Sequence, residues 1–250
     1  MKSNDVSFLP FVLIFQGRCG STYLMEALGS HPDVCCRMEY FATLKQRRKT
    51  AEEQLAWLKR LYTLPLSEPC QAIGFKTKLA DVLDRNGFAH VLKDHSASII
   101  HLQRRNLVKM TVSFFNSVRL ADSTGNWNLY DRSRRLSPIT IEPKEFDAWL
   151  RDVEKDAQDE MRFVQTLELP TLSLCYEELL VNEQKVFERI FSFLGLERRV
   201  IEGRAIKATS DNLRDAVENF DALKSRYVGS RYESMFEETI AGHYSSLQMN

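Results

Sequence analysis

The chain lacks any long hydrophobic run. Its longest uninterrupted apolar stretch is Phe11-Val-Leu-Ile-Phe15, and only by admitting Pro10 does the run reach eight residues from Phe8. Neither length crosses a bilayer. Residues 1–7 hold no apolar core of a secretory leader, so the chain is expected to be soluble and cytoplasmic, with no membrane partner. An excess of either charge is missing too: lysine plus arginine number 34, and so do aspartate plus glutamate. A general nucleic-acid or membrane-surface binder usually carries a basic excess, which argues against a nucleic-acid partner. Metal-ligand spacing is absent among the five cysteines and five histidines, so no metal site is expected. The cysteines read as reduced thiols, with a redox role for the adjacent Cys35-Cys36 pair as the alternative. No internal repeat and no linker interrupt the 250 residues, which read as a single domain. Nothing in the sequence sets an oligomeric state.

What is present centres on the first apolar run. Five apolar residues are too few for a helix and read as a strand buried on both faces. Gln16-Gly-Arg-Cys-Gly-Ser-Thr22 follows as a glycine-bracketed turn, and Tyr23 to Gly29 reads as a helix. Gly17 and Gly20 permit backbone angles and approaches that a Cβ would block. Ser21 and Thr22 fall at the helix start, where free N–H groups and hydroxyls can face one anion. Arg18 adds a forked donor suited to phosphate or sulfate oxygens. The turn reads as an oxyanion cradle. It is not an ATP loop, because only two residues separate the glycines and no lysine precedes Ser21. A tight turn without a ligand is the bland alternative.

Further strands are expected at 34–37, 71–75, 98–103 and 171–175, and helices at 107–120, 145–168 and from Asn182 to Gly195. Another helix is expected across Leu213 to Leu223, and a last one near Tyr232 to Tyr244. The prolines at 65 and 69 are read as ending a helix that carries Leu55, Leu58 and Leu61. Residues 121–143 are polar and read as a long irregular loop of the kind that covers an active site. Strands alternating with helices imply an α/β, three-layer architecture, a mostly parallel sheet with helices on both faces. Ligands in such sheets sit at the carboxyl ends of the strands. The cradle, Glu39, Lys76, Lys78, Arg104 and Arg105 all fall at such ends.

Gln16-Gly-Arg-Cys-Gly-Ser-Thr22, taken with Arg105-Asn-Leu-Val-Lys-Met-Thr-Val-Ser113, resembles the sulfotransferases that use 3′-phosphoadenosine 5′-phosphosulfate (PAPS). Tyr176-Glu-Glu-Leu179 and Phe191-Ser-Phe-Leu-Gly-Leu196 are similar to later segments of that family. The resemblance implies a P-loop NTPase-like sulfotransferase fold. It implies that Gly17, Arg18, Cys19, Gly20, Ser21 and Thr22 bind the 5′-phosphosulfate, and that Arg105 and Ser113 bind the 3′-phosphate. The stretch from Lys207 resembles the donor-closing region of bacterial members, which makes Lys207 a donor contact. Many cytosolic members have lysine in place of Arg18 and a histidine base near a later strand end, where this chain reads Gly74-Phe-Lys-Thr-Lys78. Carbohydrate-type and bacterial glycolipid members use a glutamate after the first helix, and Glu39-Tyr-Phe41 matches that arrangement.

The resemblance therefore implies sulfuryl transfer from PAPS, leaving PAP, to a hydroxyl of a small-molecule or carbohydrate acceptor without a metal. Glu39 would be the base, with Arg18 and Lys76 stabilising charge. Lys76 and Lys78 are expected to face opposite sides, and Arg104 to point away from Arg105. A structural reading stands beside each assignment: Glu39 as a surface carboxylate, Ser113 bonded to its own helix backbone, Lys207 in a merely charged loop. Two other functions remain open, a nucleotide kinase with a degenerate phosphate loop and a non-catalytic nucleotide-binding protein.

Overall fold

The computed structural model describes residues 8–63 and 70–239. Strand β1, Leu9–Phe15, lies at the centre of a five-stranded sheet because it is apolar on both faces. Alternation sends Phe11, Leu13 and Phe15 to one side and Val12 and Ile14 to the other, and none of the five is more than 2% exposed. Its neighbours are β3, Ala72–Thr77, and β4, Ser98–Gln103; β2, Val34–Arg37, and β5, Thr171–Cys175, form the edges. The order is β2-β3-β1-β4-β5 and every pair is parallel. All five carboxyl ends therefore meet along one edge, as the sequence implied.

Helices cover both faces, giving the expected three layers. On the Phe11 face lie α1, Ser21–Gly29, α7, Tyr176–Val181, and α8, Glu183–Leu194, burying Leu24, Leu28, Phe187 and Ile190. On the Val12 face lie α2, Tyr40–Gln46, α3, Ala51–Thr63, and α4, Arg85–Asp94, around Phe41, Leu58, Phe75 and Phe88. The remaining long helices are α5, Leu107–Thr124, and α6, Pro143–Leu167. They build a third core with Phe220 of α9, Phe220–Ser225, and Phe236 of α10, Glu233–Glu237. A buried contact between His101 Nε2 and Glu160 Oε1, 3.0 Å apart, joins β4 to α6. No described helix is long and apolar enough to cross a membrane.

The stretch from Leu213 to Leu223 is not one helix. A 3-10 turn at Leu213–Asp215 is capped by the Asn212 side chain, and helix resumes only at Phe220. Between them, the Ile139 N–H donates to the Ala216 carbonyl and the Glu218 N–H to the Ile139 carbonyl, while the Asn219 amide grips both backbone groups of Ile141. Pairing with residues 139–141 thus takes the backbone bonds that a helix would need. The stretch 176–181, read only as a family segment, is the short helix α7. Helix α5 runs on to Thr124, where Gly125 at φ +74° closes it. Pro65, Pro69 and the end of the last expected helix, through Tyr244, lie outside the described residues.

Candidate active site

The β1–α1 turn has left-handed backbone at Arg18 (φ +66°) and at Gly20 (φ +79°). At Gly20 the glycine is needed twice, since a Cβ would also lie 2.8 Å from the Tyr176 ring. Non-glycine residues adopt such angles only when their surroundings hold them there. Here Arg104 does so: its Nη1 donates to the Arg18 carbonyl at 2.9 Å, and its guanidinium lies over the Tyr176 ring. No side chain caps the start of α1, so its first N–H groups face the turn. Cys19 is buried beneath, and burial pushes its thiol up to about 12, so it stays neutral.

The Arg18 side chain reaches across the cleft. Its Nε donates to Ser113 Oγ at 3.2 Å, and Nη1 donates to the Trp127 carbonyl at 2.9 Å and to Asn128 Oδ1 at 3.2 Å. Burial, and then the neighbouring Arg104, lower the proton affinity of its guanidinium. A half-buried guanidinium beside the buried Arg104 is an arrangement that could receive an anion.

Glu39 stands at the start of α2, past the end of β2. Lys76, 1% exposed at the end of β3, places Nζ 3.0 Å from Glu39 Oε1 and donates to Thr22 Oγ1 at 2.7 Å. Lys78 Nζ lies 3.3 Å from Glu39 Oε2 and 3.5 Å from Asp81. Both lysines therefore face Glu39, contrary to expectation; residues two apart along extended backbone share a face. Burial alone would raise the Glu39 carboxyl, but the two ammonium groups outweigh it and hold the carboxyl below the usual range. Burial likewise lowers Lys76 despite Glu39. For the more exposed Lys78, the two carboxylates prevail over burial and raise it.

These groups surround a cleft of about 940 Å³ at the carboxyl edge of the sheet. Gly17, Arg18, Gly20, Ser21, Thr22, Glu39, Ser113 and Lys207 all line it. Cys19 supports the turn from below and Lys76 acts on the cleft through Glu39 and Thr22. Arg105 is exposed and outside the lining, whereas Arg104 is 7% exposed and inside it. The expected orientation of this arginine pair is thus reversed. Strand alternation held the signal: Ile100 and Leu102 face α1, and Arg104 continues that face. Asn128 and Thr209 also line the cleft; the sequence marked the segments that carry them but neither residue as a contact. Lys207 Nζ and Lys109 Nζ each lie 2.9 Å from Asp211 Oδ1, which fixes the far end of the site.

The all-parallel sheet and the glycine-bracketed turn at its centre define an α/β protein of the P-loop-like class. No protein-family model matches the chain. Over 243 residues it is 23% identical to "Nodulation protein H" of Rhizobium tropici, covering 91% of this chain and 93% of that protein. Its fold matches the crystal structure of a sulfotransferase from Alicyclobacillus acidocaldarius with a TM-score of 0.53, at 15% identity, covering 95% of this chain and 99% of that one. Mouse sulfotransferase SULT7A1, complexed with PAP, aligns at a TM-score of 0.47 and 15% identity over 87% of this chain and 67% of that one. The chain has the fold of the Alicyclobacillus sulfotransferase.

Proposed function

We propose that the protein transfers a sulfuryl group from PAPS to a hydroxyl of a carbohydrate or similar small acceptor. One observation carries the donor assignment: Arg104 Nε is buried at the cleft with no hydrogen-bond partner, beside the Arg18 guanidinium and the open start of α1. A buried donor of that kind is costly unless a ligand meets it, and an anionic one fits. PAPS supplies an activated sulfuryl group and a leaving phosphate. The turn amides, Ser21 and Thr22 would hold the 5′-phosphosulfate. Ser113, with Arg104 in the cleft place expected of Arg105, and Lys207 would hold the 3′-phosphate.

Glu39 would accept the acceptor's hydroxyl proton as its oxygen bonds to sulfur and the sulfur–oxygen bond to the phosphate breaks, releasing PAP. Lys76 hydrogen-bonds both Glu39 and Thr22, and so can balance charge moving from base to leaving group. The cleft walls suit a sugar ring. Phe114 stacks on Trp149 with centroids 5.6 Å apart, and Trp127 is 58% exposed beside them. Thr43, Gln46 and Lys78 on other parts of the wall supply polar partners. All five cysteines are unpaired, which supports a reducing, cytoplasmic setting.

A screen of carbohydrate, alcohol and phenol acceptors with sulfur-labelled PAPS tests the reading. Label should pass to a carbohydrate hydroxyl. Transfer from ATP with magnesium in its place would establish a kinase, and nucleotide binding with no transfer to any acceptor would establish a non-catalytic protein.

A further inference from the structure

Two irregular segments, residues 125–142 and residues 197–212, come together over the cleft, and one carboxylate outside the reacting groups fastens both. Glu26 lies on the outer surface of α1. Its Oε2 accepts the backbone N–H groups of Arg204 and Ala205, each at 2.9 Å. Its Oε1 accepts the Tyr130 hydroxyl at 3.0 Å. The segments also join each other, the Ile206 N–H donating to the carbonyl of buried Leu129 at 2.8 Å. From this joint Trp127 and Asn128 on one side, and Ala205 to Thr209 on the other, extend into the cleft wall. Gly203 allows the close seating, because a Cβ there would stand 2.4 Å from the Tyr23 carbonyl oxygen. Some of the other tethers come from inside the cleft, Arg18 to Trp127 and Asn128 and Asn116 to Thr209, and some from outside it, Arg135 to the Lys207 carbonyl and Arg119 to the Ser137 carbonyl. Arg18 is a group that an entering anion would recruit, whereas Glu26 is outside the cleft lining and joins both segments to α1.

We propose that Glu26 is a positioning residue, a carboxylate latch that holds both segments against α1 as one roof and sets how fast nucleotide leaves the cleft. Both of its oxygens are used; a glutamine would keep one oxygen for the two backbone N–H groups and could donate its amide to the Tyr130 hydroxyl, so only an alanine removes every bond of the latch. The latch itself is a property of the free protein; only the nature of the departing nucleotide rests on the proposed donor.

Hydrogen exchange on the full chain reads the latch directly. In Glu26→Ala, amides 204–206 and 127–131 should exchange roughly tenfold faster, the effect of losing a charge-assisted bond, while amides 98–103 in β4 stay as they were. Gly203→Ala keeps the carboxylate but lifts the seat, and should speed amides 204–206 alike; Tyr130→Phe removes one bond of three and should do less. Fluorescently labelled adenosine 3′,5′-bisphosphate should leave Glu26→Ala about tenfold faster, with the donor KM raised and kcat not lowered. Unchanged exchange at 204–206 would overturn the latch, as would faster exchange throughout α1 and the sheet, which would make Glu26 a helix-stabilising residue only. Unchanged bisphosphate release despite loosened segments would overturn its role in nucleotide exit. If the bisphosphate does not bind the parent protein, the donor assignment falls, and exchange still decides the latch.

Discussion

Glu39 is a carboxylate pinned between two ammonium groups, and that placement fixes how it should respond to pH and to substitution. Its carboxyl is held below the usual range by Lys76 and Lys78 against the opposing effect of burial. It is therefore ionised, and able to accept a proton, down to pH values under the ordinary carboxylate pKa of about 4.3. The acid limb of the rate should lie below that value, and it should vanish in Glu39→Gln. The same depression stabilises the fold above the unfolded carboxylate pKa, and that stability is lost as pH falls through the lowered folded value. Glu39→Gln keeps the shape and removes the proton acceptor, so turnover should drop by roughly 10²–10⁴, with PAP affinity retained. Parental turnover in that variant would move the base elsewhere. The arginine pair gives a sharper contrast. Arg104→Ala removes a buried cleft donor and should weaken PAP binding by about tenfold to 150-fold, the range for a charge-assisted bond. Arg105→Ala changes an exposed side chain outside the cleft lining and should alter binding by less than about threefold. Calorimetry giving the opposite order would put the binding role back on Arg105.

Among the elements, the sheet carries the clearest stability prediction. Gly74 in β3 pairs with Phe11 in β1, and a Cβ on it would stand 2.5 Å from three atoms of the Phe11 ring. Phe11 is fully buried and has no room to retreat. Gly74→Ala should cost roughly 1–3 kcal/mol through overpacking, seen as a lower urea midpoint with unchanged slope; an unshifted midpoint would mean that the ring relaxes freely. The sheet was legible in the sequence for the same reason that it is sensitive. Strand β1, buried on both faces, reads as a short apolar run, and the strands expected at 34–37, 98–103 and 171–175 match those found. The cradle was legible because glycines, hydroxyls and an arginine cluster within a few positions. What failed depended on distant partners. The apolar spacing from Leu213 to Leu223 was real, but backbone pairing with residues 139–141 broke the helix. Arg104 is the exception: the alternation of β4 carried its face, and the spacing to Ser113 pointed to Arg105 instead. The covering segments were read, but the Glu26 fastening was not, since Glu26 meets Arg204 across 178 positions.

At the scale of the whole molecule, the cleft draws on the β1–α1 turn, α2, α5, α7 and the two roof segments, so it exists only in the folded chain. A ligand that binds there and not to the unfolded chain must raise the melting temperature in proportion to RT ln(1 + [L]/Kd). Ligand chemistry then separates the three functions without any acceptor. A 3′-phosphate would meet one buried guanidinium and one hydroxyl, Arg104 and Ser113, and AMP has no group to offer them. Those two contacts are together worth roughly 2–4 kcal/mol, or about thirty- to a thousand-fold in affinity. Adenosine 3′,5′-bisphosphate should accordingly stabilise the protein strongly, AMP weakly, and ATP with magnesium no better than AMP. In Arg104→Ala the advantage of the bisphosphate should collapse towards the AMP level, although the variant still folds around the same sheet. Raising the salt should shrink the advantage less than it would at an exposed site, because buried charges are screened less. Greatest stabilisation by ATP with magnesium would replace sulfuryl transfer with phosphoryl transfer. Equal, weak shifts from all three nucleotides would show that the paired arginines serve the turn alone.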